Sequence, residues 1–279
     1  MYDCIIIGAG PAGIAAAVQL KRAGLSLLLL EKGEVGGLLR NANLVENYLG
    51  FTGGISGKDL IELFKKQIAE QEISLTKEEV IEVKKIGVNF VVETKENSYK
   101  SSNVIIATGT KPKTAGIAGE ESLTNKKVFY EIADLPTIEQ GKDILIIGGG
   151  DIGFDYAIQL KSLGHLPTII TRGEVQCLSL LTTRARELDI PVFTNITPRK
   201  MHEDGESITV QCDTDNFQTD YVLIAVGREP RYPLLPMQNY LGLYQIGDVK
   251  NKHQRQVHIA MGDALRIAMD ITSSITHYS

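Results

Sequence analysis

Asp3-Cys-Ile-Ile-Ile-Gly-Ala-Gly-Pro-Ala-Gly13 returns as Asp143-Ile-Leu-Ile-Ile-Gly-Gly-Gly-Asp-Ile-Gly153, 140 residues further along the chain. Gly8, Gly10 and Gly13 fall on Gly148, Gly150 and Gly153. The match runs on without a gap, carrying Ala17, Gln19, Leu20, Lys21 and Gly24 onto Ala157, Gln159, Leu160, Lys161 and Gly164. Two occurrences make one structural unit used twice, not a solenoid. The apolar run at 5–7 predicts a parallel strand buried on both faces. Residues 14–23 predict a helix stopping near Gly24, and 25–30 a second strand. The second copy predicts strand 144–147, helix 154–163 and strand 168–171. The expected fold class is α/β, with two Rossmann-like, three-layer ββα domains.

A glycine triplet between strand and helix has a physical task. The first glycine makes the tight turn, the second lets backbone approach a pyrophosphate, and the third lets helix and strand pack closely. The helix start offers unpaired N–H groups and a positive dipole end to phosphates. Both triplets stand in that strand–turn–helix setting. Glu31 closes the second strand, 18 residues after Gly13. A carboxylate there accepts hydrogen bonds from a ribose 2′-hydroxyl, as in FAD or NAD. The second copy instead ends Ile169-Ile170-Thr171-Arg172-Gly173. Arg172 suits the 2′-phosphate of NADPH, whereas the nearby Glu174 suits NADH.

The 279 residues predict about two domains. A hydrophobic fraction of 43% and a charged fraction of 23% exclude disordered, collagenous and coiled-coil readings. No apolar run approaches the ~18 residues of a membrane helix, and the start has no basic and apolar leader pattern. Neither a membrane nor a secretory route is therefore expected. A net charge of −5 argues against nucleic-acid binding. Cys4, Cys177 and Cys212 make no disulfide framework and no metal motif, so a reducing cytoplasm is expected.

Beyond the triplets, Glu31-Lys-Gly-Glu-Val-Gly-Gly-Leu38, Val45-Glu-Asn-Tyr-Leu-Gly50, Ala107-Thr-Gly109, Gly247-Asp-Val249 and Arg255-Gln-Val257 follow one another along the chain. Together with Gly8–Gly13 and Gly148–Gly150, this order resembles the low-molecular-weight thioredoxin reductases over almost the whole sequence. The resemblance implies an FAD domain at 1–112 and 228–279, interrupted by an NAD(P)H domain at 113–227, and a homodimer. Lys111-Pro-Lys113 and Gly227-Arg-Glu-Pro230 are the natural crossings, punctuated by Pro and Gly.

For FAD, the resemblance implies that Gly8, Gly10, Pro11, Ala12 and Gly13 hold the pyrophosphate and Glu31 the adenosine ribose, with Lys32 also among the FAD-binding residues. Gly36, Gly37, Leu38 and Asn47 run along the flavin side, and Val80 meets the adenine through its backbone. Ala107, Thr108 and Gly109 match the family's crossover. Gly247 and Asp248 face the ribityl chain, and Arg255, Gln256 and Val257 meet the flavin pyrimidine edge at a helix start. For NADPH or NADH, it implies Gly148, Gly150, Asp151, Ile152, Gly153, Arg172 and Gly227.

Three departures qualify the match. The family's Cys-x-x-Cys falls on Glu131 and Asp134, counted back from Gly148, and no Cys-x-x-Cys occurs elsewhere. The disulfide route is thus excluded. Val128-Phe-Tyr-Glu-Ile-Ala-Asp134 and the glycine strand after it resemble a sister group, the thioredoxin-reductase-like ferredoxin–NAD(P) reductases, but their usual His-Arg-Arg is Thr171-Arg172-Gly173. The stretch from Gly227 to Gly247 is shorter than the family's, and the chain stops soon after the helix expected at 259–275, implying an open flavin suited to a protein partner or to oxygen.

The function implied is an FAD-dependent oxidoreductase carrying electrons from NAD(P)H to ferredoxin, flavodoxin or an iron–sulfur or radical enzyme. The flavin carries the chemistry, so no side-chain catalyst or metal is expected. The alternatives are a ferredoxin-driven flavoenzyme that does not use NAD(P)H and a non-enzymatic FAD-binding redox sensor. Cys4 and Cys212 read as strand residues, and Cys177, after the second Rossmann strand, as either a reactive or an inert thiol. His165, His202, His253, His258 and His277 form no metal set, although His253 and His258 flank the flavin segment. Asp151 and Asp155 suit either a ribose or the first turn of a helix. Lys250, Lys252, His253 and Arg255, with Lys111 and Lys113, form a basic patch that either docks an acidic carrier or is a solvated loop.

Overall fold

The structure is a computed structural model in which residues 1–238, 240–251 and 253–276 are described. The chain begins β1 (Tyr2–Ile7), α1 (Pro11–Arg22), β2 (Leu27–Glu31), α2 (Gly57–Glu70), β3 (Leu75–Lys77), β4 (Val80–Ile86), β5 (Asn89–Thr94) and β6 (Ser98–Ile106). It continues β7 (Thr110–Pro112), α3 (Glu120–Leu123), β8 (Val128–Phe129), β9 (Asp143–Ile147), α4 (Asp151–Ser162), β10 (Leu166–Ile170), α5 (Ser179–Glu187) and β11 (Val192–Phe193). The remainder is β12 (Pro198–Asp204), β13 (Ser207–Cys212), β14 (Asn216–Thr219), β15 (Tyr221–Ile224), β16 (Arg228–Pro230), β17 (Leu243–Gln245) and α6 (Val257–Thr276). These elements fall into two compact units, Met1–Lys111 with Glu229–Ser279, and Pro112–Arg228.

In the first unit, β3-β2-β1-β6 is a parallel run, with β1 paired between β2 and β6. β6 then divides. Its first half pairs antiparallel with β5, and its last residues pair parallel with β17. The strands are apolar on both faces because both are covered. Cys4 and Ile6 join Leu20, Leu29 and Ile105 on the helical side, while Ile5 and Ile7 join Leu28, Phe90, Val92 and Ile106 on the other. On the helical side, Ala15, Ala16 and Ala17 of α1 share a core with Ala260, Ala264 and Ala268 of α6. Side chains this small let two helices approach closely.

The second unit repeats the plan in a smaller sheet, β11-β10-β9-β15-β8. The registers repeat at the same 140-residue offset: Cys4 pairs with Leu27 and Ile7 with Leu30, Ile144 with Pro167 and Ile147 with Ile170. Burial alternates identically, with Ile144 and Ile146 in one core and Leu145 and Ile147 in the other. A three-stranded antiparallel sheet, β12-β13-β14, covers the second face, with Met201, Ile208 and Val210 buried.

Both nucleotide-type helices start three residues earlier than the periodicity suggests, at Pro11 and Asp151 instead of 14 and 154. Glycine is a poor helix former in isolation, yet Gly13 and Gly153 lie inside the first turn, where they are packed against the strand. α6 runs to Val257 at its start, two residues beyond the expected bound. No described helix is long and apolar enough to cross a membrane.

Candidate functional site

The two glycine turns are built alike. Gly8 and Gly148 adopt φ of 107° and 140°, a region that L side chains rarely enter. A Cβ on Gly8 would lie 2.5 Å from the Ala107 carbonyl oxygen, and one on Gly148 would strike that of Ala225. Gly13 and Gly153 face the carbonyls of Gly8 and Gly148 so closely that no side chain fits. The Gly8 and Gly148 N–H groups donate to Leu30 and Ile170 at 2.7 and 2.9 Å.

The middle glycines differ from these four. Gly10 has φ −78° and Gly150 φ −99°, which any residue adopts. A Cβ would come no nearer than 3.9 Å to Gly37 Cα at the first site and 3.8 Å to the Gln176 carbonyl oxygen at the second. Neither backbone nor packing requires glycine there. A glycine at this position of the turn is the one that lets backbone approach a pyrophosphate. No side chain caps either helix, so each keeps its positive N-terminal end for an anion. Phosphate-bearing dinucleotides fit both cradles.

At the first site, Glu31 Oε2 accepts the Ala9 N–H at 2.7 Å and Oε1 the Gly33 N–H at 2.9 Å. The carboxylate is therefore fixed beside the turn, with lone pairs left for hydroxyl donors. Gly36 N–H donates to the Ala9 carbonyl at 2.9 Å, and a Cβ on Gly37 would lie 3.3 Å from Gly10 Cα, so the 36–38 segment lies against the turn. A Cβ on Gly247 would lie 2.9 Å from Ala12 Cβ, which places the Gly247-Asp248 turn at the first turn of α1. Asn47 Nδ2 donates to Gln256 Oε1 at 2.9 Å, joining the 45–50 loop to the start of α6. Arg255 leads into that helix start, and its Nε donates to the Asn251 carbonyl at 3.5 Å.

Val80 opens β4, and its neighbour Glu79 connects it to the crossover. Glu79 pairs with Arg231 at 3.5 Å, and the Arg231 N–H donates to Gly109 at 3.1 Å. The Thr108 hydroxyl donates to the Arg231 carbonyl. Partial burial first, and then the Arg231 charge, hold the Lys32 ammonium below the usual lysine value. The sequence does not single out Arg231. Its only signal there is its place directly after the 227–230 crossing.

At the second site, Gly148, Gly150, Asp151, Ile152 and Gly153 form the turn and first helical turn of α4. Thr171 stands where Glu31 stands in the first copy, and its Oγ1 and Cβ would each lie 2.9 Å from a Cβ on Gly149. Arg172 is exposed in the loop after β10. That loop then returns to the turn. The Gln176 N–H donates to the Gly149 carbonyl at 2.8 Å, and the Leu178 N–H donates to Asp151 Oδ1 at 2.8 Å. Sequence spacing alone does not reveal this contact. Gly227, with φ 115°, accepts the Lys113 N–H at 3.0 Å just after β15.

Glu131 precedes and Asp134 ends a short 3₁₀ turn, Ile132–Asp134, and the Asp134 N–H donates to the Glu131 carbonyl at 3.1 Å. The Glu131 carboxylate pairs with Arg228 and accepts the Tyr156 hydroxyl at 3.1 Å. The three thiols are all pushed above the usual cysteine value by burial first, Cys212 up to about 11. Of the expected basic patch, Lys250 is 3.5 Å from Asp263 and Lys111 is 3.0 Å from Glu229. His258 is exposed and stacks at 4.7 Å on Tyr48. Lys252 and His277 lie outside the described residues. Among the described residues, no three His, Cys, Asp or Glu side chains form a metal-binding group.

Residues 2–264 match the family described as pyridine nucleotide-disulphide oxidoreductase. Thioredoxin reductase of Bacillus subtilis (strain 168) is 32% identical over 308 residues, spanning 100% of this chain and 95% of its own. The crystal structure of T. acidophilum thioredoxin reductase has a TM-score of 0.88 at 30% identity, covering 99% of each chain. That of Lactococcus lactis thioredoxin reductase in its FR conformation has a TM-score of 0.90 at 25% identity, covering 99% of this chain and 100% of that one.

Proposed function

Since this chain belongs to the pyridine nucleotide-disulphide oxidoreductase family, we propose that it draws electrons from NAD(P)H through FAD and delivers them to an external carrier, without a protein disulfide. The proposal is carried by two matching glycine turns, one in each unit, together with an ion-paired Glu131 at the position where the family's redox cysteine is expected. The family's cofactors are FAD and a nicotinamide nucleotide, and the uncapped helix starts after Gly10 and Gly150 suit the phosphates of both.

FAD held there would supply hydride- and electron-transfer chemistry. The protein supplies binding and electrostatics. The N-terminal ends of α1 and α4 hold pyrophosphates, and Glu31 accepts ribose hydroxyls. The Gly247-Asp248 turn lies beside α1, and the start of the 20-residue α6 favours negative charge near Arg255–Val257. The acceptor class we propose is a small iron–sulfur or flavin carrier, such as ferredoxin or flavodoxin, because Glu131 and Asp134 have no thiol to exchange with a disulfide substrate. A cytoplasmic homodimer is part of the proposal. Leu265 and Met269, one helical turn apart on α6, are exposed apolar residues that a second copy would cover.

The test is an anaerobic titration of the FAD-loaded protein with NADH and NADPH. Either nucleotide is expected to bleach the flavin band at about 450 nm, and a carrier added afterwards to restore it. Bleaching by reduced ferredoxin and by neither nucleotide would overturn the nucleotide-driven route.

A further inference from the structure

Asp263 is a carboxylate on α6 only 8% exposed, and its described partners all lie on one turn. Its Oδ2 accepts the Gly247 N–H at 3.3 Å and the Asn251 amide at 2.7 Å, and its Oδ1 is 3.5 Å from Lys250 Nζ. A buried carboxylate is costly unless donors surround it, and here one turn provides all three. The turn closes on itself as well: the Lys250 and Asn251 N–H groups both donate to the Gly247 carbonyl, at 2.9 and 3.0 Å. Gly247 adopts φ 69°, and a Cβ there would lie 2.9 Å from Ala12 Cβ and 3.4 Å from Ala260 Cβ. The turn is thus wedged between α6 and the first turn of α1, and Asp248 sits within it.

We propose that Asp263 is a positioning residue, which fixes the Gly247–Asn251 turn and through it sets Asp248 against the sugar-alcohol chain of the bound flavin nucleotide. This inference rests on the FAD reading above. Asp263 itself touches no part of the ligand. It acts by removing the freedom of a turn whose backbone and side chain do.

The experiment is a double-mutant cycle on FAD affinity. Apo-protein is titrated with FAD by flavin fluorescence for wild type, Asp248→Ala, Asp263→Ala and the double variant, with the melting temperature of each apo-protein recorded. Each single change is expected to weaken binding about tenfold, and the double change no more than either alone, because coupled residues lose one shared contribution. Asp263→Asn keeps an oxygen that accepts from Gly247 and Asn251, so it is expected to recover wild-type affinity within about threefold. It also serves as the readout should Asp263→Ala not fold. Losses that multiply to about a hundredfold, or an Asn variant as weak as Asp248→Ala, would overturn the inference while leaving the FAD reading intact. Failure of the wild-type protein to bind FAD would remove both.

Discussion

Glu131 Oε1 and Arg228 Nη1 lie 2.7 Å apart, with side chains 14% and 5% exposed. The Tyr156 hydroxyl donates to the second Glu131 oxygen at 3.1 Å, and burial together with that carboxylate pushes the phenol far above its usual value. An ion pair this buried gains little over apolar packing, but losing one partner strands the other charge. Arg228→Met is expected to cost about 3 kcal/mol in urea unfolding, and Arg228→Met with Glu131→Leu to recover most of that. Equal losses in the single and double variants would show that the pair carries no such penalty.

Gly10 and Gly13 separate ligand binding from folding. Gly10→Ala meets nothing within 3.9 Å at an ordinary φ, so the apo-protein is expected to melt within a few degrees of wild type. Its FAD affinity should fall at least tenfold, because the new methyl occupies the phosphate approach. Gly13→Ala places a Cβ into the Gly8 carbonyl and should destabilise the apo-protein by about 3 kcal/mol or more. Unfolding and FAD titration of the two variants together check the contrast. A Gly10→Ala protein that binds FAD normally would contradict it.

Gly13 also shows where sequence patterning stops. The repeat, the strands and the glycine turns are legible because a tight turn and a close helix–strand approach demand glycine at fixed spacing. Helix starts are less legible, since glycine is a poor helix former and yet Gly13 and Gly153 lie in the first helical turns. Pro11 at the first helical position was the better signal. The Glu31 assignment follows from strand-end position, but its hold on the Ala9 N–H needs coordinates. Likewise Arg231 stands far along the chain from Glu79, and Asp263 meets Gly247 from a different element. Their polar contacts leave no period in the sequence.

Thr171 occupies the second copy's equivalent of Glu31, beside the side-chain-free Gly149, and exposed Arg172 follows it. A carboxylate at the strand end favours a free ribose hydroxyl, while a guanidinium favours a 2′-phosphate. Arg172→Ala is expected to raise KM for NADPH about tenfold and leave that for NADH within twofold. Thr171→Glu should move the kcat/KM ratio towards NADH by about tenfold. Steady-state reduction of an artificial acceptor with each nucleotide measures both. If neither variant shifts the ratio, the loop after β10 does not read the ribose.

The cysteines yield the last expectation, and its sign follows from their surroundings. Only a thiolate attacks alkylating agents. Cys4 is fully buried, and burial followed by the Asp3 charge keeps it protonated. Cys212 is pushed up to about 11 by burial and by Asp213 and Asp215. Cys177, the half-buried thiol beside the second nucleotide turn, is raised by burial and then by Asp151. Raised values mean less thiolate at neutral pH. Iodoacetamide labelling at pH 7.5 should therefore be slower than for a free cysteine, rising about tenfold per pH unit to beyond pH 9. Reduction by NAD(P)H should also leave the count of reactive thiols unchanged, because no disulfide is available to open. New thiols appearing on reduction, measured by mass after alkylation, would restore a disulfide mechanism and overturn the proposed direct route from flavin to carrier.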